Sequence, residues 1–275
     1  MKRVLITGAN SYIGDSVKHY LDTFGDLYAV DIKDTIGWNP SCEDFKGYDV
    51  VFNVAGIAHI KETKENSHLY YDINRDLAIK IAKTAKEAGI KQFILLSSMS
   101  VYGITEGFIT KETPVRPTNT YGKSKAEADE AIFELQDNDF KFACLRPPMV
   151  YGKGCKGNYQ SLRKFALKSP IFPDYQNRRS MVYIGNLCEF VKECIDDEKY
   201  GLYFPQNSEY MITSEMVKYI AENNDKKIRM VKCFNWLIHI CGISVVKKVF
   251  GNLIYESVDM INKYSIEESI RCTEQ

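Results

Sequence analysis

Tyr121 and Lys125 stand four residues apart within TYGKSKAEADE, residues 120–130, a run of good helix formers. An i, i+4 pair lies on one face of a helix, so a phenol and an ammonium reach one small-molecule site together. A free tyrosine, with a pKa of about 10, is a poor base near neutrality. A neighbouring ammonium favours the phenolate, and lowering that pKa by ~3 units takes roughly 4 kcal/mol of differential stabilisation. The same spacing also describes a solvated helix that happens to carry a Tyr and a Lys. A second polar group, Ser97-Ser98-Met99-Ser100, follows the apolar run KQFILL, with Ser98 placed 23 residues before Tyr121. It reads either as a serine-rich turn cap or as a hydroxyl at the carboxyl end of a strand, where open α/β sheets bind ligands. Hydroxyl, phenol and ammonium at adjacent element ends form a proton-handling group.

The elements that must position this group begin at the N-terminus. Arg3 to Ile6 is a short β-branched run, Tyr12 to Thr23 reads as a helix, and Leu27 to Asp31 reads as a second strand. Strand, glycine turn, helix and strand make the βαβ unit of a parallel sheet. The turn reads TGANSYIG, with Gly8 and Gly14 six residues apart and Asn10, Ser11, Tyr12 and Ile13 between them. A glycine at the strand end permits the tight turn, and one inside the helix permits close packing on the sheet. The helix N-terminus then offers unpaired N–H groups to a pyrophosphate. Asp31, 23 residues beyond Gly8, sits where a carboxylate would accept from adenosine ribose hydroxyls. It repels a 2′-phosphate, Ile32 brings no offsetting charge, and Lys33 is expected on the other face if the strand persists. NAD is therefore favoured over NADP.

DVVFNV, residues 49–54, is the next buried strand, and Ala55-Gly56 after it lets a cofactor approach the backbone. The segment 32–48 has room for one crossover but not for an extra strand and helix, so the sheet should lack a strand on the adenine side. Asn74 to Ala88 has helical apolar spacing, KQFILL is a central strand, and FKFACLR, residues 140–146, is the last clear strand before Pro147-Pro148. The fold class is α/β, a Rossmann-like doubly wound parallel sheet with a smaller mixed C-terminal substrate lobe. The expected division is 1–150 for the cofactor domain and 151–275 for the lobe, with 181–205 available to the sheet.

Composition narrows the classes. The 275 residues are 45% hydrophobic, enough for a sizeable core, and Lys plus Arg equals Asp plus Glu at 36 each. No basic field exists to draw in nucleic acid or an anionic membrane. The eight cysteines form no CxxC and no zinc spacing, which fits reduced thiols in a cytoplasmic protein. No signal peptide or transmembrane span is read from the sequence. The four histidines read as incidental, although His59 follows the Ala55-Gly56 turn.

With these residues together the chain resembles the extended short-chain dehydrogenase/reductase family of nucleotide-sugar epimerases, dehydratases and reductases. TGANSYIG resembles its TGxxGxxG, SSMSVYG its strand-end serine motif, YGKSK its YxxxK, and LRPPMVYGKG and RRSMVYIGNL its later signatures. The resemblance runs over roughly residues 1 to 220, in order. It implies Tyr121 as acid/base, Lys125 on the nicotinamide ribose, and Ser98 on the reacting oxygen. It also implies Asn74 in support of the cofactor side and Arg179 on the substrate diphosphate, a task that suits a planar fork of donors. Ser98, Met99, Met149, Asn158 and Arg179 are the substrate-side candidates; Asn158 is alternatively a helix N-cap, and Arg178-Arg179 alternatively surface charge.

Three departures stand out. Ser11 replaces the middle glycine, where its hydroxyl would donate to phosphate. Met149 replaces the asparagine common before VYG, which leaves one substrate contact open. Met99-Ser100 replaces the Asp-Glu pair of the 4,6-dehydratases, which argues against water elimination.

The resemblance implies NAD-dependent chemistry at C4 of a nucleotide-linked sugar, UDP-linked by preference. Epimerisation leads, with a 4-keto sugar reductase as the alternative and a catalytically silent cofactor-binding sensor as the third reading. A homodimer is expected from the same family. The apolar stretch 233–250, interrupted by Gly242, is expected to pack on the protein or on a partner copy rather than lie on a membrane.

Overall fold

The computed structural model describes every residue except 59–61, 64, 234 and 241–243, so the expectations for His59 and Gly242 fall outside the described residues. Two compact units result. The first contains Met1–Gly103, Pro114–Pro147 and Cys188–Tyr203; the second contains Ile104–Thr113, Pro148–Leu187 and Phe204–Gln275. The division is thus not a single cut near residue 150. Gly201–Tyr203 pairs in parallel with Ala143–Leu145, which brings 188–203 into the first unit. Gly107–Ile109 pairs in parallel with Leu253–Tyr255, which takes 104–113 into the second.

The first unit is built on β1 (Lys2–Thr7), α1 (Tyr12–Asp22), β2 (Tyr28–Lys33), β3 (Val50–Asn53), α2 (Ser67–Tyr71), α3 (Ala78–Glu87), β4 (Gln92–Leu96) and α4 (Thr120–Phe133). Its parallel sheet has six strands in the order Gly201–Tyr203, Lys141–Leu145, β4, β3, β1, β2. Strands covered on both faces read as continuous apolar runs, and VVFN of β3 is buried at all four positions. Leu5, Val51, Phe93, Phe142 and Cys144 of the strands pack with Ala82 of α3 and Ile132 of α4 in one cluster. Burying each large side chain of this kind contributes roughly 1.5–3 kcal/mol.

As the length of the connection requires, nothing between β2 and β3 adds a strand. Residues 34–49 contain one short 3₁₀ turn, Cys42–Phe45, closed by a capping box between Ser41 and Asp44. The sheet ends at β2.

Short parallel pairs make up the second unit: Met149–Tyr151 with Met181–Tyr183, Ile171–Pro173 with Arg229–Val231, and Gln206–Asn207 with Met260–Ile261. The C-terminal helix Ile266–Glu274 is locked by Glu274, whose carboxylate accepts from Tyr159 Oη, Arg163 Nε and Asn224 Nδ2, each at 2.7 Å. The stretch 233–250 forms the helices Asn235–Ile240 and Ser244–Phe250. Phe250 meets the rings of Phe172 and Tyr175, both with centroids 5.6 Å away, so the end of this stretch packs within the unit. Among the described residues no helix is long and apolar enough to cross a membrane. Among the same residues the seven described cysteines form no disulfide.

Candidate active site

β1 ends at Thr7, and Gly8 turns the chain at φ +114 with its N–H donating to the Lys33 carbonyl at 2.9 Å. A Cβ at Gly8 would lie 2.8 Å from the Ala55 backbone nitrogen, so glycine is required both for the dihedral and for the close approach. Asn10 takes a left-handed conformation at φ 59, which asparagine tolerates. Ser11 is the N-cap of α1, its Oγ accepting from Gly14 N at 3.3 Å. The hydroxyl can still donate its own proton outward, so the side chain that replaces glycine caps the helix without closing the turn. Tyr12 and Ile13 form the first turn of α1. A Cβ at Gly14 would sit 2.9 Å from Val54 Cγ2 and 3.2 Å from Ile6 Cγ2, which seats α1 tightly on the sheet.

Beneath this turn lies Asn53, which the sequence reading did not single out. Its Oδ1 accepts from Thr7 Oγ1 at 2.7 Å and from Ala55 N at 3.2 Å, joining the ends of β1 and β3. Ala55 and Gly56 continue from there towards Asn74. Asn74 is fully buried in a π-helical turn, Asp72–Leu77, between α2 and α3; such turns are frequent at functional sites. Asn74 Oδ1 accepts from Ile57 N at 2.8 Å, while Nδ2 donates to Ile57 O at 3.1 Å and to Ser124 Oγ at 3.3 Å. A Cβ at Gly56 would come 2.8 Å from Asn74 Oδ1 and 3.2 Å from Lys125 Nζ. Gly56, Asn74 and Lys125 therefore converge.

On β2 the exposed Asp31 accepts from the Tyr48 phenol at 2.8 Å, and the Tyr48 ring carries the Arg3 guanidinium 4.8 Å from its centroid. Burial and the Asp31 charge push the Tyr48 phenol up. Lys33 corrects the expectation stated above. Strand residues alternate faces, so 31 and 33 share one, and Lys33 Nζ is neutralised by Asp44 at 2.9 Å. The Lys33 ammonium in turn holds the Asp44 carboxyl well below its ordinary range.

The catalytic candidates lie on α4 and at the end of β4. Asn119 caps α4, accepting from Gly122 N at 2.7 Å. A Cβ at Gly122 would sit 2.6 Å from the Ser100 carbonyl oxygen, so Gly122 lets α4 approach the serine turn. Ser98 caps the 3₁₀ turn Met99–Tyr102, accepting from Ser100 N at 3.1 Å. Half-buried Met99 fixes the same turn, its N–H donating to the Pro147 carbonyl at 3.0 Å. The half-buried Tyr121 has Tyr70 edge-on at 6.3 Å. Burial pushes its phenol up, and the hydrogen bond with Ser98 opposes that shift. Lys125 is 4% exposed and donates to the Leu96 carbonyl at 2.9 Å. Burial pushes its ammonium down to about 8, against the opposing charge of Asp129. The i, i+4 spacing thus delivers both groups to one face, but burial, with the charge of Asp129 adding to it, outweighs the Ser98 hydrogen bond and leaves the Tyr121 phenol above, not below, its ordinary pKa.

The remaining candidates belong to the second unit. Met149 is half-buried and pairs with Met181 across a parallel ladder. Asn158 is exposed in the first turn of the helix Asn158–Lys168, whose N-cap is Gly157, so it is not the cap. Tyr159 is fully buried, stacked on Tyr151 at 5.6 Å. Arg179 is half-buried, with Nη1 donating to the Gly251 carbonyl at 2.8 Å. Burial lowers its pKa while the charge of Glu106 opposes that.

Comparison with known proteins gives a consistent picture. Residues 4–203 match the model of the NAD dependent epimerase/dehydratase family. A UDP-glucose 4-epimerase of Vibrio cholerae is 30% identical over 278 aligned residues, covering 91% of this chain and 83% of the relative. Two solved structures share the fold. A UDP-glucuronic acid 4-epimerase from Bacillus cereus in complex with NAD superposes with a TM-score of 0.74 at 16% identity, over 99% of this chain and 97% of the other. A dTDP-4-dehydrorhamnose reductase from Clostridium acetobutylicum does so with a TM-score of 0.70 at 21% identity, over 84% and 83%.

Proposed function

The chain belongs to the NAD dependent epimerase/dehydratase family, and on that premise we propose that it is an enzyme using NAD to modify a nucleotide-linked sugar at C4, by epimerisation of a UDP-sugar. The observation that carries the reading is the convergence of Gly56, Asn74 and Lys125 beside the Ser98–Tyr121 pair.

The residues present fit the cofactor. Gly8 and Gly14 leave no room for a Cβ, the Ser11-capped end of α1 presents N–H groups to a pyrophosphate, and Asp31 is exposed at the sheet edge. Bound NAD would accept a hydride from C4 and return it. The Gly8-to-Gly14 turn would hold the pyrophosphate, Asp31 the adenosine ribose, and Lys125 the nicotinamide ribose. Gly56 would leave the backbone open on that side. Tyr121 Oη would take the C4 hydroxyl proton and give it back, with the Ser98 hydroxyl donating to the reacting oxygen. Arg179, with Met149 and Asn158 in the same unit, is the candidate for the diphosphate side of the substrate. The reading includes a cytoplasmic homodimer; the buried thiols Cys144 and Cys155 agree with a reducing compartment.

A specific observation favours a second reading, a 4-keto nucleotide-sugar reductase. The raised pKa of Tyr121 suits a phenol that begins the cycle protonated and acts once as an acid. NMR of UDP-glucose and UDP-N-acetylglucosamine with purified protein and no added cofactor separates the two. New signals of the C4 epimer are expected. Their absence, with consumption of NADH on a 4-keto sugar nucleotide, would establish the reductase instead.

A further inference from the structure

One turn behind Lys125 on the same face of α4 is Asp129, 1% exposed. Its Oδ2 accepts from Ser97 Oγ at 2.8 Å and from Arg146 Nε at 2.9 Å, while its Oδ1 is buried with no hydrogen-bond partner. Arg146, 7% exposed at the end of the strand Lys141–Leu145, donates through Nη1 to Tyr102 Oη at 2.8 Å. A carboxylate retained only to pair Arg146 would have both oxygens satisfied, because an unpaired buried oxygen costs about 1–3 kcal/mol. The unpaired Oδ1 leaves negative potential inside the protein, and Lys125 experiences it. Burial pushes the Asp129 carboxyl up, and Arg146, Ser97 and Lys125 oppose that shift; with all three groups ionised, two buried cations, Lys125 and Arg146, stand against one buried anion. The net single positive charge is balanced when the Tyr121 phenol loses its proton.

We propose that Asp129 is a positioning residue that acts through Lys125, as the counter-charge that keeps its ammonium protonated beside Tyr121, with Arg146 and Ser97 setting how much of that charge Lys125 feels. The assignment rests on the role given to Lys125 above. Lys125 donates to the Leu96 carbonyl and has Asp129 and Cys144 as its electrostatic neighbours, while Ser97 and Arg146 reach it through Asp129. Asn74 converges with Lys125 on Gly56, Tyr70 packs edge-on to Tyr121, and Tyr102 accepts from Arg146. Among these, Asp129 is the one carboxylate. Its removal and the removal of Arg146 must therefore shift Lys125 in opposite directions, whereas an ion pair not coupled to Lys125 would leave its midpoint where it is in both variants.

The test titrates the Lys125 side chain in cofactor-free protein by NMR with lysine labelled at Cε, the signal assigned by its loss in Lys125→Arg. Asp129→Asn should lower the Lys125 midpoint by about one pH unit, and Arg146→Met should raise it by a similar amount, the scale expected of one nearby charge. Arg146→Lys, which keeps the charge, should leave the midpoint close to the parent's. If Asp129→Asn does not fold, the Arg146→Met and Arg146→Lys pair decides. Equal midpoints in every folded variant, or shifts of one sign, overturn the proposal. Because the titration needs no turnover, protein that shows these shifts but epimerises nothing would sink the functional reading and leave this one standing.

Discussion

Replacing Gly56 by alanine tests the convergence on which the functional reading depends. The added Cβ would lie 2.8 Å from Asn74 Oδ1, 3.2 Å from Lys125 Nζ and 3.7 Å from Lys125 Cε. Asn74 has no freedom to withdraw, since its amide is bonded twice to Ile57 and once to Ser124 and is fully buried. Accommodation must break the Ile57 bond or drive Lys125 aside. The first costs about 1–3 kcal/mol for a buried bond lost, and overpacking typically costs a similar amount. A loss of about 1–3 kcal/mol by either route corresponds to a fall in Tm of roughly 2–12 °C for a chain of this size. Gly89→Ala is the control, because Gly89 has φ +86 but nothing within 4 Å of its ideal Cβ; it should show only the backbone cost of about 1–2 kcal/mol. Calorimetry with and without NAD is the assay. The parent should gain about 2.7 kcal/mol at one hundred times Kd, and Gly56→Ala should lose most of that gain while Gly89→Ala keeps it. A Gly56→Ala protein that melts with the parent and gains equally from NAD would refute the geometry.

Tyr121→Phe should reduce turnover by about 10²–10⁴-fold with little change in melting temperature; a steady-state assay beside a melt reads both. The Lys125 ammonium, with its pKa pushed down to about 8, is lost as pH rises through that value, so kcat/KM should fall on the alkaline side, and Lys125→Met should lack that limb. The same depressed pKa means that the folded chain binds fewer protons than the unfolded one between about 8 and about 10.4, so this group makes stability rise with pH across that window. Asp31→Asn should raise the affinity for NADP relative to NAD about tenfold, and Asp44→Asn, which releases Lys33, should move the same ratio in the same direction, as fluorescence titration with each cofactor would record. Glu274→Ala leaves Tyr159, Arg163 and Asn224 without their shared acceptor and should cost about 2–4 kcal/mol, visible as a lower urea midpoint with an unchanged slope.

What lies within a few residues along the chain was legible in the sequence. The Gly8-to-Gly14 turn, the acid at Asp31, the i, i+4 pair Tyr121 and Lys125 and the apolar strands depend on dihedrals, spacing and periodicity, which residue type fixes locally. The short connection after Asp31 likewise implied a missing strand by length alone. The tertiary structure decided everything that depends on burial and on partners distant in sequence. It set the sign of the Tyr121 shift, because desolvation is a property of the packed environment and exceeded the opposing hydrogen bond from Ser98. It neutralised Lys33, which strand alternation alone puts on the Asp31 face, with Asp44, 11 residues away. It brought Asn53 under the glycine turn, Tyr48 onto Asp31, and Arg146 onto Asp129 behind Lys125. It also divided the chain into interleaved units, because backbone pairing joins Gly201–Tyr203 to one strand set and Gly107–Ile109 to another. Sequence specifies which groups are present and their local pitch; their ionisation follows from what the fold packs around them.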